Sequence, residues 1–174
     1  MGQMADRLAA LVVTAFSPDG QIEGSYGAAA GANIRFNGNS YRHYTERGLG
    51  HQLSRMAVLV WIAHQRGHDA TVAEVTGQPV SRRQETWDAR RRRFREEQAE
   101  TESEGMSTGG LVYFRNTGMR DWHIVIRDGT LSKLDEPEFV KEFLSGYAAL
   151  SLDYRHKMTK LRTKHYGPDI WMKK

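Results

Sequence analysis

Twice along the chain, apolar residues alternate with polar ones over short stretches and then switch to helical spacing. Ile34-Arg35-Phe36-Asn37-Gly38-Asn39-Ser40-Tyr41, followed by Tyr44, Leu49, Leu53 and Val60, aligns with Ile124-Val125-Ile126-Arg127-Asp128-Gly129-Thr130-Leu131, followed by Leu134, Phe139, Phe143 and Leu150, at a constant offset of 90. Thr45 and Asp135 stand at the two switches, where a helix needs an N-cap. The pattern therefore predicts α+β architecture: two tandem βββα units with antiparallel sheets, dividing at 1–80 and 81–174. Leu49, Leu53 and Val60, with Phe139, Phe143 and Leu150, form the predicted core stripes.

In the first copy, 11–16 reads as a strand, Ser17-Pro18-Asp19-Gly20 supplies a turn, and 21–26 resumes the extended pattern. Residues 34–44 carry more extended structure, and a helix is expected over 47–66, with no convincing helix before the first strand. In the second copy, 111–115 and 122–127 are expected to form the corresponding hairpin across Asn116-Thr117-Gly118, with a second turn at Asp128-Gly129. A helix then starts with Pro137 in its first turn and runs past Tyr154. Between the copies, 81–100 has no Gly or Pro and reads as a charged helix, with Trp87 and Phe94 one heptad apart. Thr101 to Gly110 reads as a flexible loop.

Composition removes several chemistries. With no cysteine, the chain has no disulfide, thiolate metal site or thiol nucleophile. The longest apolar run, 56–63, is far too short to span a bilayer, and the first residues lack a signal-peptide layout, which predicts a soluble, cytoplasmic protein. Position 6 is Asp where a myristoylation signal needs Ser or Thr. Formal net charge is +4, but 155–174 holds seven basic residues against the single acid Asp169, while 1–105 balances. Such a basic helix end suits phosphate backbones, acidic proteins or lipid headgroups, and equally complements its own helix dipole. The run Arg91 to Arg93 precedes Glu96 and Glu97 at helical spacing, which predicts a solvated, self-paired face.

The order of charged helix, the loop Gly105-Met106-Ser107-Thr108-Gly109-Gly110, Leu111-Val112-Tyr113-Phe114, a turn, His123-Ile124-Val125-Ile126 and a long closing helix resembles one complete unit of the YbaB/EbfC nucleoid-associated family, over about 81–164. Ser17-Pro18-Asp19-Gly20 in the first copy is similar to the hairpin of actinobacterial relatives. The resemblance implies nonspecific binding of double-stranded DNA in the nucleoid, or association with type VII secretion loci. It also implies sheet-paired dimers, so a tandem chain would form a pseudo-dimer within one molecule, with a homodimer as a further assembly. Neither a W-x-G nor a Y-x-x-x-[DE] secretion signal occurs.

Reactive constellations are sparse. His64 and His68 have metal-ligand spacing, but Gln65 stands where a zincin has Glu, and Gly67 reads as a fraying helix end. Asp135, Glu136, Glu138 and Glu142 cluster at a helix start, where they complement the dipole. The glycine-rich 105–110 follows a helix and precedes a strand, the reverse of a phosphate loop. Trp61, Trp87, Trp122 and Phe143 sit at core spacings rather than on a base-stacking platform. The expectation is a non-enzymatic protein without cofactor or metal. It contacts duplex phosphates through Arg90, Arg91, Arg92, Arg93, Lys157, Lys160, Arg162 and Lys164. A protein-interaction scaffold, or an accessory protein of type VII secretion with an unidentified protein partner, is the alternative.

Overall fold

A computed structural model describes residues 2–78, 80 and 88–168. The elements run α1 (Gly2–Ala10), β1 (Val12–Phe16), β2 (Ile22–Gly27), β3 (Gly31–Phe36), a 3-10 turn (Ser40–His43) and α2 (Glu46–Thr76). The second half repeats them as α3 (Ala89–Glu100), β4 (Glu102–Met106), β5 (Val112–Thr117), β6 (Asp121–Ile126), a four-residue helix α4 (Thr130–Lys133) and α5 (Glu136–Tyr166). Each sheet is an antiparallel meander, β1-β2-β3 and β4-β5-β6. Every strand and both 31-residue helices recur at an offset of 90, so the chain is two tandem βββα units. Ile34 and Ile124 occupy the same place, buried in the third strand of their sheets.

Local chemistry sets the element ends. The Thr45 hydroxyl accepts the Gly48 amide at 3.1 Å, and Asp135 and Glu138 form a reciprocal capping box. The two hairpin turns are gripped alike by the closing helix. The Asp19 amide donates to Gln52 Oε1 at 3.2 Å, and the equivalent Gly109 amide donates to Glu142 Oε1 at 2.8 Å. Inside both turns a buried serine takes the next strand's first amides. Ser17 Oγ accepts from Ile22, and Ser107 Oγ accepts from Leu111 and Val112. Glu142, expected only to complement the α5 dipole, is thus a turn-holding side chain.

Four expectations change. Residues 101–110 hold β4 rather than a loop, because the inward side of that strand is made of Ser103 and Gly105, too small to register as apolar alternation. Small residues are required there: a Cβ on Gly105 would lie 2.8 Å from Gly146 O and Leu150 Cα, so α5 rests directly on the strand. The hairpin over 112–126 therefore matches β2 and β3 of the first copy, not its first hairpin, and its turn lies at 118–120, with Gly118 and Met119 both at positive φ. A first helix, α1, does precede β1. Finally, α2 does not fray near Gly67 but continues to Thr76, because that glycine lets Leu11 pack onto it, 3.1 Å from where its Cβ would be. Trp87 and 81–86 of the expected linking helix lie outside the described residues; α3 begins after the Asp88 cap.

Leu49, Leu53, Phe139, Phe143 and Leu150 are buried as the stripes predict, Val60 is half-buried, and Met56 joins them. These residues form one cluster spanning both sheets. Phe36 meets Phe139 edge-on with centroids 6.1 Å apart, and Tyr41 reaches Phe139 at 5.5 Å. Burial pushes the Tyr41 phenol up to about 12, so it stays a donor, and it bonds Leu134 O at 2.9 Å. From the other side, α2 lies along β6: Ser54 Oγ accepts the Ile124 amide at 2.9 Å, and Glu46 Oε1 accepts the Gly129 and Leu131 amides.

Packing between helix and sheet is filled from opposite sides in the two copies. In the second, Phe114 projects from the strand and Gly146 on α5 makes room, a Cβ there being 2.5 Å from the ring. In the first, the equivalent positions are Gly24 on the strand and Met56 on α2, with a Gly24 Cβ falling 2.8 Å from the methionine methyl. Phe114→Ala is expected to cost about 3–5 kcal/mol as a cavity. Gly146→Leu alone should cost about 1–3 kcal/mol by overpacking. The double variant should be more stable than the sum of the singles by roughly 0.5–3 kcal/mol in urea denaturation, and strict additivity would refute the complementary fit.

The Asp19 carboxylate ties the first turn together, accepting from Ser17 Oγ and Tyr44 OH at 2.6 Å each and from the Gln21 amide at 3.1 Å. Burial pushes its pKa upward, but these hydrogen bonds prevail and hold it below the ordinary 3.8. A depressed folded-state pKa gives stability that is complete above 3.8 and lost as pH falls through the folded value. The Asp19→Asn variant should therefore be less stable at neutral pH and show a shallower loss below that value, read by thermal melts across the acid range.

Candidate nucleic-acid interface

The site is built where α3 meets the last turns of α5. Asp88 caps α3, its carboxylate accepting the Arg90 and Arg91 amides at 2.9 and 3.4 Å. The helix is polar nearly all round, with five arginines against three glutamates and a single large apolar residue, Phe94. That ring anchors it: Phe94 lies 5.8 Å from His165, edge-on, and 5.5 Å from Tyr166. Further along, Gln98 Nε2 donates to Tyr154 OH at 3.3 Å, and Gly118 of the β5–β6 turn packs on the Ala99 backbone. Because Phe94 follows Arg93 directly and touches the end of α5, the arginine run shares one end of the molecule with Arg162 and Lys164.

Charge pairing differs from the sequence expectation. Glu97 does not neutralise the arginines one turn before it. Its Oε2 accepts Lys164 Nζ at 2.7 Å, and its Oε1 lies 3.2 Å from His165 Nε2, across to α5. The Lys164 hydrogen bond is the chief reason the Glu97 pKa sits below its ordinary value. Lys157 is likewise engaged, with Asp153 at 2.7 Å one turn earlier. Arg90, Arg91, Arg92 and Arg93 are all exposed, as are Lys160 and Arg162, and among the described residues none of the six has an ion-pair partner. Two of the eight expected contacts are thus internally paired and six are free. Lys173 and Lys174, which contribute to the basic tail, lie outside the described residues.

Elsewhere the chemistry is thin. Among the described residues no cluster of three or more His, Cys, Asp or Glu could hold a metal, and no helix is long and apolar enough to cross a membrane. His64, one of the two histidines at metal-ligand spacing, stacks with Trp61 and meets Tyr26 edge-on at 5.0 Å; burial is the main cause of its lowered pKa, so it is a neutral packing group at pH 7. His68 is 3.6 Å from Asp69. A half-open pocket of about 90 Å³ between the two units is mostly apolar, lined by Met56, Trp61, Phe114, Trp122 and Tyr147 among others. Its asymmetry repeats the packing rule: Gly24, Ala32 and Ala57 face it from the first unit where the second has Phe114, Trp122 and Tyr147.

Comparison with family models, with curated proteins and with solved structures returns no match.

Since Phe94 is the one large apolar residue holding α3 down, Phe94→Ala should release that helix while leaving both sheets intact. Hydrogen exchange should accelerate across α3 and stay unchanged in β5 and α5 residues facing the sheet. Acceleration throughout the second unit would instead mean that α3 is part of its core.

Proposed function

We propose that the protein binds nucleic-acid duplexes without reading sequence, through the basic end formed by the start of α3 and the end of α5. The observation that carries this reading is the set of unpaired, exposed cations there: Arg90 to Arg93 with Lys160 and Arg162. Cations already matched by a carboxylate gain little from a phosphate, whereas unmatched ones displace condensed counterions and bind in proportion. Arginine on a helix also suits phosphate oxygens bidentately, and among the described residues nothing at this end offers a rigid, base-reading constellation. The reading agrees with the nucleoid-type role implied by the likeness to YbaB/EbfC proteins. Because Lys157 and Lys164 are paired, the start of α3 carries more of the interface than the end of α5.

A second reading, a protein-docking scaffold, draws on the outer face of the second sheet, where Met106, Tyr113 and Val125 form a cross-strand row with Met106 and Val125 exposed. A duplex titration over increasing salt separates the two. Wild-type affinity should fall linearly on a log-log plot, and replacing Arg91, Arg92 and Arg93 by alanine should flatten the slope by about 2–3 units, at roughly 0.9 per phosphate contact. Replacing Lys157 and Lys164 should flatten it less. Glu97→Gln, which frees Lys164, should tighten binding at low salt. Absence of salt-sensitive binding in the wild type would reject the duplex reading and leave the scaffold.

A further inference from the structure

The two copies serve as controls for each other at the sheet edges. In an antiparallel ladder, alternate residues turn both backbone polar groups toward the partner strand and the rest turn them away. The Ser17 amide bonds Ile22 O at 2.8 Å, so Ser17 is a partner-facing residue. Counting back through the register, Ala15 and Val13 face β2, and Phe16, Thr14 and Val12 turn their N–H and C=O groups to the open edge. The same count in the second copy, from Ser107 to Val112 O at 2.9 Å, turns Glu104 outward. Its amide indeed leaves the sheet, donating to Asp153 Oδ2 of α5 at 2.9 Å.

That edge is closed by design of its residues. Asp153 occupies the central outward amide, and Glu102 and Glu104 put charge on the strand, two standard defences against strand addition. The edge of β6 is closed by α2 through Ser54, and β3 lies against α5. On β1 both defences are missing. The position equivalent to Asp153 is Ala63, no side chain among the described residues bonds the Val12, Thr14 or Phe16 amide, and the outward-facing side chains are uncharged. Val12 is 53% exposed and Phe16 49%, the largest exposures of apolar side chains on the first sheet.

We propose that β1 is a dimerisation edge, pairing antiparallel with β1 of a second copy about a two-fold axis at Thr14. The strand is self-complementary in that arrangement and in few others. Centring on Thr14 sets Val12 against Phe16 of the second copy on the outer face, and Thr14 against its own image. All three outward-turned residues then exchange N–H···O=C bonds, and the two exposed apolar side chains cover each other across the new strand pair. The two meanders become one continuous six-stranded sheet with α2 of each copy on the inner face. An edge with no charge and two apolar residues at matching distances from its centre fits its own image better than an arbitrary peptide. β4 cannot pair in this way, since Glu104 would meet Glu104.

The test is sedimentation of the full chain over a range of protein concentrations, without nucleic acid and at high salt, so that it is independent of duplex binding. Wild type should pass from monomer to dimer, with hydrogen exchange at the Thr14 and Phe16 amides slowing in step. Thr14→Pro removes the central outward donor, which an unpaired edge tolerates, and should abolish dimerisation. Phe16→Lys, at an exposed site that does not challenge folding, should do the same with unchanged circular dichroism. A monomer at every concentration, or a dimer that survives Phe16→Lys, would overturn the proposal.

Discussion

The rest of this structure depends on how closely a long helix can lie on a three-stranded sheet. Where the middle strand of each sheet meets its long helix there is space for one side chain, and the chain supplies it from the strand in one copy and from the helix in the other. Phe114 over Gly146 and Met56 over Gly24 are the two solutions. Once those fits are made, α5 can rest on Gly105 and the turn-holding residues Gln52 and Glu142 come within reach of their hairpins. Around the pocket between the units, Gly24, Ala32 and Ala57 of the first stand where the second has Phe114, Trp122 and Tyr147, while Met56 and Trp61 of the first stand where the second has Gly146 and Ser151, so each copy is large where the other is small.

From that core outward, the helices act across the units as well as within them. Through Glu46 and Ser54, α2 takes up amides from the second unit, and Tyr41 returns a bond to Leu134. The Ser54 contact satisfies an amide that the edge of β6 would otherwise expose, and the others satisfy amides and a carbonyl at the two ends of α4. On the surface, Lys157 and Lys164 are matched by Asp153 and Glu97, and Arg90 to Arg93 at the start of α3 have no ion-pair partner among the described residues.

Most of the fold was legible because apolar periodicity survives divergence: Leu49, Leu53, Phe139 and Leu150 fell on the buried face, and Thr45 and Asp135 are the caps. What escaped was written in small residues. Glu102-Ser103-Glu104-Gly105-Met106 has strand alternation only if Ser and Gly count as inward, and they do so only because a helix backbone lies over them. Gly67 reads as a helix end until Leu11 is known to occupy the space it leaves. The basic side chains were visible from the start, but their pairing was not. Local spacing offered Glu97 to the arginines, and only the docking of α3 by Phe94 shows that Lys164 and His165 claim it.

The proposed phosphate-binding surface lies at one end of the two-unit core and does not involve the sheets. Hydrogen exchange of the full chain with and without a short duplex at low salt addresses this most directly. Protection confined to the first turns of α3 and the last turns of α5, with β2, β3, β5 and β6 unchanged, is the predicted footprint. No protection at that end, or protection only on the outer face of a sheet, would contradict it.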